Sequence, residues 1–99
     1  MQLTDDMTGY AEKLYKRQNQ VILQVMEVLE EELPLAEDKK LSEAELQMYD
    51  NCHLLNEMAV HEMEGDSVSF YFKGQVQRSL KNCNKGVNHL ESVLKHVAK

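Results

Sequence analysis

A regular pattern of apolar positions runs through the last third of the chain. Apolar residues recur there at alternating steps of four and three, with no step missed. The seven positions are Val76, Leu80, Cys83, Val87, Leu90, Leu94 and Val97. This spacing is typical of the a and d positions of a heptad, which form the buried stripe of a helix packed against other helices. The pattern predicts a helix over residues 67–97, capped by Asp66 or Ser67.

The first third of the chain carries a similar stripe. Met7, Leu14, Val21 and Val28 recur every seven residues, and Gln18 is the one polar residue within the stripe. The stripe is widened by Tyr10, Ala11, Tyr15, Ile22, Val25 and Leu29. A helix is therefore predicted over residues 5–32, with Thr4 as its cap and Pro34 as its stop, because the residue before a proline is pushed out of the α region.

A third helix is predicted between these two. Ser42 and Glu45 have the spacing of a capping box, so we expect residues 34–42 to form a linker and the helix to cover residues 43–64, ended by Gly65. Its main apolar face is Ala44, Met48, Cys52, Leu55, Ala59 and Met63. A second, weaker apolar patch lies part of a turn away and consists of Leu46, Tyr49, His53 and Val60.

Short connections between three helices favour an all-α antiparallel three-helix bundle that forms one domain over residues 1–99. The rival prediction breaks the last helix between Asn82 and Gly86 and adds a fourth short helix. Two long helices and a shorter middle one leave apolar surface uncovered, so we expect a homodimer. The alternative is a monomer whose tyrosines and methionines are half exposed.

Charge adds a second pattern to this picture. The net charge is −6, which disfavours nonspecific attraction to nucleic acid. Residues 43–66 carry seven acids and no Lys or Arg, whereas residues 67–99 carry six basic residues and one acid. The acidic stripe is Glu43, Asp50, Glu57 and Glu64, and the basic stripe is Arg78, Lys81, Lys85, Lys95 and Lys99. These stripes are either solvated faces or docking surfaces.

Catalytic and metal-binding motifs are weak in this sequence. His53, Glu57 and His61 share one side of a helix, which is a spacing that a metal can use, but no Glu-x-x-His of the di-iron bundles occurs. There is no phosphate-binding glycine loop, nucleophile elbow or HExxH motif either. We therefore predict no enzyme activity, no metal site and no cofactor. In size and patterning the chain resembles short helical-bundle proteins of bacteria and phages, a likeness too general to assign any residue a role.

Both cysteines, Cys52 and Cys83, fall on core faces. A disulfide between them is geometrically conceivable, but buried free cysteines are the favoured interpretation, because two cysteines in such a chain suggest a reducing compartment. The acidic start lacks the basic and apolar segments of a secretory signal, and no apolar run is long enough to span a membrane. A cytoplasmic location is expected.

The predicted function is that of a non-enzymatic protein–protein interaction module, a small adaptor, chaperone or regulator acting through helix faces. Its partner is another protein or a second copy of the chain. The candidate contact residues are Leu46, Tyr49, His53, Val60, Phe70, Tyr71, Arg78, Lys81 and Lys85. The alternative is a nucleic-acid-associated regulator that uses the basic stripe, although only one of its residues is Arg and no aromatic residues are interleaved on that face.

Overall fold

The computed structural model describes residues 5–97, with side chains from Gly9 onward. It contains three α-helices: α1 (Asp5–Leu29), α2 (Leu35–Glu64) and α3 (Phe70–Val97). Within the described range there is no strand, so the all-α class is confirmed. Three predictions fall outside the described residues or side chains. They are Thr4 as the cap of the first helix, Met7 as the first member of its stripe, and Lys99 as the last member of the basic stripe.

Helix α1 ends at Leu29, three residues before the predicted end at residue 32. A turn follows, in which the Glu31 N–H donates to the Val28 carbonyl at 3.0 Å. Three consecutive glutamates occupy residues 30–32, where the negative end of the helix dipole disfavours carboxylates. The repulsion between these carboxylates and the helix dipole therefore adds to the effect of Pro34, and the helix ends early.

Helix α2 begins at Leu35, so the prediction of a linker over residues 34–42 is wrong. The Pro34 carbonyl accepts hydrogen bonds from the N–H groups of Glu37 and Asp38, both at 3.0 Å. These two acids lie in the first turn, where the dipole favours them. Ser42 does not cap a helix; its hydroxyl lies 3.3 Å from Asp38 Oδ1, one turn back along the same helix.

The connection between α2 and α3 is compact. Gly65 has a left-handed backbone (φ 75°), its N–H donates to the Glu62 carbonyl, and the Asp66 N–H donates to the His61 carbonyl. This pair of bonds forms a Schellman motif, and Gly65 ends α2 as predicted. The α3 cap is Ser69, whose hydroxyl accepts the Phe72 N–H at 3.1 Å. The predicted caps, Asp66 and Ser67, are wrong.

The predicted stripe of α3 lies in the core. Six of its seven residues are buried, and Val97 is partly buried. Helix α3 is continuous from Phe70 to Val97, so the rival prediction of a break near Gly86 is wrong. Gly86 is itself buried because α2 passes directly over it. A Cβ at this position would lie 3.1 Å from the Met48 Cα, so the glycine permits the close approach of the two helices.

A disulfide joins α2 to α3 at this close approach. Cys52 and Cys83 are bonded, their Cα atoms lie 4.5 Å apart, and neither is exposed. The preferred interpretation of two free cysteines is therefore wrong. The physical reason is the small helix separation around Gly86, which brings two cysteines on facing stripes within bonding distance.

Polar side chains attach α1 to the α2–α3 pair. Gln18, which is buried, donates to Asn56 Oδ1 at 2.7 Å and accepts from Asn56 Nδ2 at 3.0 Å. Arg17 donates to Asn84, Asn88 and Glu91 of α3 at 3.0, 2.5 and 2.7 Å. Gln18 is buried and Asn56 is half-buried, so loss of Asn56 would leave the Gln18 amide unsatisfied, and the pair favours one register of α1 against α2.

Candidate interaction surface

The second apolar patch of α2 is exposed and lies beside α1. Leu46, Tyr49, His53 and Val60 are all exposed. With Asn56 they follow steps of three, four, three and four, so they form one row along the helix. Asn56 is hydrogen-bonded to Gln18 of α1. The row therefore runs along the edge of α2 that faces α1.

Helix α1 contributes a matching row. Ile22 is one turn after Gln18 and is partly buried, while Met26 and Leu29, which follow it on the same side, are exposed. Since Gln18 contacts Asn56, this side of α1 borders the row on α2. We call the two rows together the α1–α2 surface, made of Ile22, Met26, Leu29, Leu46, Tyr49, His53 and Val60.

The sequence pattern indicates only the α2 half of this surface. Of the α1 half, Ile22 and Leu29 belong to the widened core stripe and Met26 lies outside it, because an apolar stripe does not show which of its edges a neighbouring helix covers. The signal that could have found them was the width of that stripe, which exceeds what two neighbouring helices bury.

Burial affects the titratable groups beside this surface. Partial burial raises the pKa of Glu45. Burial also raises the pKa of Tyr49, and the negative charge of Glu45, one turn earlier on α2, raises it further. His53 turns its Nδ1 to the Asp50 carbonyl of its own helix at 2.9 Å. The Glu45 carboxyl and the Tyr49 hydroxyl are thus partly withdrawn from water at this surface.

Carboxylates border the α1–α2 surface on both sides. On α2 the predicted acidic stripe lies exposed one turn outward, since Asp50 follows Leu46, Glu57 follows His53 and Glu64 follows Val60 by four residues. We call six exposed acids beside the two rows the acidic rim: Glu12 of α1, Glu30 directly after α1, and Glu43, Asp50, Glu57 and Glu64 of α2. Two bases, Lys16 and Lys39, accompany them.

The acidic rim has no cationic partner within the described side chains. The ion pairs found there are Arg17–Glu91 at 2.7 Å and His61–Asp66 at 3.5 Å, neither of which includes a rim residue. The negative potential of the rim is therefore directed to solvent.

The other candidate contact residues lie elsewhere on the molecule. Phe70 and Tyr71 are 70% and 72% exposed in the first turn of α3. Met63, in the last turn of α2, is exposed beside the same connection, and we call these three residues the turn cluster. Lys73 Nζ lies 6.0 Å from the Phe70 ring centroid. Leu46 is about 25 Å from this end along α2, so the structure does not bring all candidates together.

The basic stripe forms a third, separate region. Arg78, Lys81, Lys85 and Lys95 are exposed on α3, on the side away from the core. The Arg78 guanidinium folds back over Gly74, with Nη1 3.4 Å from where a Cβ would lie. These side chains do not border the α1–α2 surface.

The histidines named as possible metal ligands have separate partners. His61 faces Asp66 and packs edge-to-face against Phe72 at 6.0 Å, whereas His53 turns to its own helix. Across the described part of the chain no three His, Cys, Asp or Glu residues are grouped to hold a metal.

An open depression of about 530 Å³ between α1 and α3 is lined by Gln24, Glu27, Val28, Glu91, Leu94 and Lys95. The Glu91 carboxylate in this lining already forms an ion pair with Arg17.

None of the helices in residues 5–97 combines the length and the apolar character needed to cross a bilayer. Comparison with protein-family models, curated proteins and solved structures finds no match to this chain.

Proposed function

We propose that this chain is a non-enzymatic protein–protein interaction module, a small helical adaptor, chaperone or regulator that binds through helix faces. The observation that carries the proposal is the α1–α2 surface, where exposed apolar side chains lie in two adjoining rows. Single exposed hydrophobic residues are ordinary, but contiguous ones mark interaction sites. The two rows are held beside each other at one point by the part-buried hydrogen bonds between Gln18 and Asn56.

An antiparallel arrangement of the three helices is part of the proposal. Contacts between α2 and α3 pair Met48 with Gly86 and Cys52 with Cys83, so position rises on one helix as it falls on the other. Helix α1 meets residues 84–91 of α3 through Arg17 and residues 91–95 near Gln24 and Val28, which supports a parallel course of α1 and α3. In this arrangement α1 and α2 run antiparallel and meet where Gln18 is hydrogen-bonded to Asn56.

Tyr49→Asp is expected to abolish partner binding while leaving the bundle folded, because it places a charge in the apolar row. Tyr49 is only 38% exposed, so Leu46→Asp, at a side chain 66% exposed, serves as a second variant with less effect on the core. The measurement is a pull-down from the native cell with each tagged variant, with helicity followed by circular dichroism. Leu35→Asp, on an exposed residue outside the surface, is the matched control. If the parent chain and all three variants captured the same proteins, the proposal would be contradicted.

Self-association is the second part of the proposal. A compact monomer of 11.5 kDa exposes about 5,800 Å², whereas this chain exposes 6825 Å². The radius of gyration, 14.9 Å, also exceeds the value of about 12.6 Å expected for a compact chain of this length. The bundle is elongated, with extents of 47 × 24 × 18 Å, so its length offers room for the roughly 800 Å² that each partner buries in a standard interface. Charges of both signs lie next to the turn cluster, acidic at Glu64 and Asp66 and basic at Lys73. The cluster therefore suits a two-fold contact between two copies.

We expect the purified chain to sediment as a dimer of twice 11.5 kDa at high concentration and to dissociate on dilution. Phe70→Glu should lower the dimer fraction, because it buries a charge in the contact. Lys81→Glu, on the same helix but outside the turn cluster, is the control and should leave the dimer fraction unchanged. A monomer at every concentration would exclude the homodimer and would leave the interaction module untouched.

Two further expectations from the sequence stay predictions. The nucleic-acid alternative requires exposed cations, which Arg78, Lys81 and Lys85 provide, but the acidic rim and the net charge of −6 oppose it. The cytoplasmic location rested partly on free cysteines. With Cys52 and Cys83 bonded, that reason no longer supports it, since disulfides persist chiefly in oxidising compartments.

A further inference from the structure

We propose that the α1–α2 surface binds one amphipathic helix of a partner protein whose apolar face is flanked by Lys and Arg. This inference rests on the proposed function and names the chemistry of its partner. It follows from three properties of the surface, namely its shape, its apolar centre and the sign of the charges around it.

The shape of the surface fits a helix. Two helices lying side by side leave a groove between them. On the side where Gln18 of α1 meets α2, both helices carry exposed apolar side chains, Met26 on α1 and Leu46 and Tyr49 on α2. The row on α2 from Leu46 to Val60 spans about 21 Å, the length of a helix of about 14 residues. A partner helix would place apolar anchors at steps of three and four residues along this length.

The charges of the surface select the sign of the partner. Six exposed acids of the acidic rim border the groove, against two lysines. They have no cationic partner among the side chains that the structure describes. Basic residues on both flanks of a bound helix would satisfy the rim, speed association and set the orientation of the complex.

The same charges disfavour a second copy of the chain on this surface. A two-fold interface apposes the same patch on both subunits, so the acidic rim of one copy would meet the acidic rim of the other. The basic stripe of α3 does not provide the missing partner either, because Arg78, Lys81 and Lys85 lie on a polar face without an apolar row. The occupant that combines an apolar stripe with basic flanks is a helix of another protein.

The test uses three synthetic peptides of about 16 residues, long enough to cover the row at 1.5 Å per residue. The probe has leucines on one helical face and lysines on both flanks. The first control replaces the lysines with glutamates, and the second scrambles the probe so that it has no amphipathic face. Each labelled peptide is titrated with the full chain and binding is followed by fluorescence anisotropy.

We expect only the basic amphipathic peptide to bind, with an affinity that falls as salt rises. Tyr49→Asp or Leu46→Asp should weaken this binding at least tenfold, and so should the double charge reversal Asp50→Lys with Glu57→Lys. Leu35→Asp should leave the affinity unchanged. Loss of peptide binding in the charge-reversal variant, with helicity retained, would show that the peptide recognises the acidic rim.

Several outcomes would overturn the inference: no binding of the basic peptide, equal binding of the glutamate or scrambled peptide, or an unchanged affinity after charge reversal. Self-association that Leu46→Asp abolishes would identify a second copy as the occupant instead. If the peptide fails but the pull-down still depends on Tyr49, the interaction module stands and only the basic helix is rejected. If neither depends on Tyr49, both proposals fail.

Discussion

Replacing both cysteines, Cys52→Ala with Cys83→Ala, will lower the free energy of unfolding by about 3–4 kcal/mol. The bond closes a loop of 31 residues that includes the turn between α2 and α3. Without the bond the unfolded chain gains the conformational freedom of that loop, so the unfolded state is favoured. A domain of this size is stable by only about 5–15 kcal/mol, so the loss is a large fraction of the total.

Chemical denaturation of the oxidised and double-alanine chains, monitored by circular dichroism, measures this difference. The double variant also removes two buried sulfur atoms, so the reduced wild-type chain is the matched control that isolates the cross-link. Alkylation of the unfolded, unreduced chain should find no free thiol, because both cysteines are bonded. Two free thiols, or equal stability of the oxidised and reduced chains, would contradict the assigned role of the disulfide.

Leu41→Ala is expected to destabilise the fold by about 2–5 kcal/mol, the usual cost of truncating a buried leucine. Leu41 is fully buried in α2, although the sequence assigned it to a linker. Its removal leaves a cavity where the early turns of α2 meet the core. For a domain of this length, each kcal/mol lowers Tm by about 4–8 °C.

Leu35→Ala is the control for this effect, since Leu35 is 85% exposed in the first turn of the same helix. Leu35→Ala should change the free energy of unfolding by no more than about 0.5 kcal/mol, as for most surface substitutions. Thermal unfolding of both variants beside the parent chain makes the comparison. Equal stability of Leu41→Ala and Leu35→Ala would mean that the first turns of α2 are not packed as the structure has them.

The functional proposals use two surfaces with different chemistry. The α1–α2 surface is apolar and acid-rimmed, which suits a basic helix, whereas the turn cluster has charges of both signs, which suits a second copy. Because Tyr49 lies about 21 Å along α2 from Met63 of the turn cluster, substitutions at Tyr49 and at Phe70 should affect partner binding and self-association independently.

Local sequence was enough to predict three helices and much of the core, though not every helix end. The stripe from Val76 to Val97, the polar position of Gln18 and the stop at Gly65 were read correctly, because periodicity, side-chain polarity and the steric freedom of glycine are properties of local sequence. The exposed patch of Leu46, Tyr49, His53 and Val60 followed from the same periodicity.

Tertiary structure decided the rest. The start of α2 at Leu35 went against a capping signal at Ser42, because burial of Leu41 favours a longer helix more than one cap favours a shorter one. The disulfide depended on how closely α3 approaches α2 over Gly86, a distance between residues remote in sequence. The α1 half of the α1–α2 surface likewise depended on which edge α2 leaves uncovered. A repeat of apolar residues shows which side of a helix avoids water, but only the assembled neighbours show how much of that side they cover.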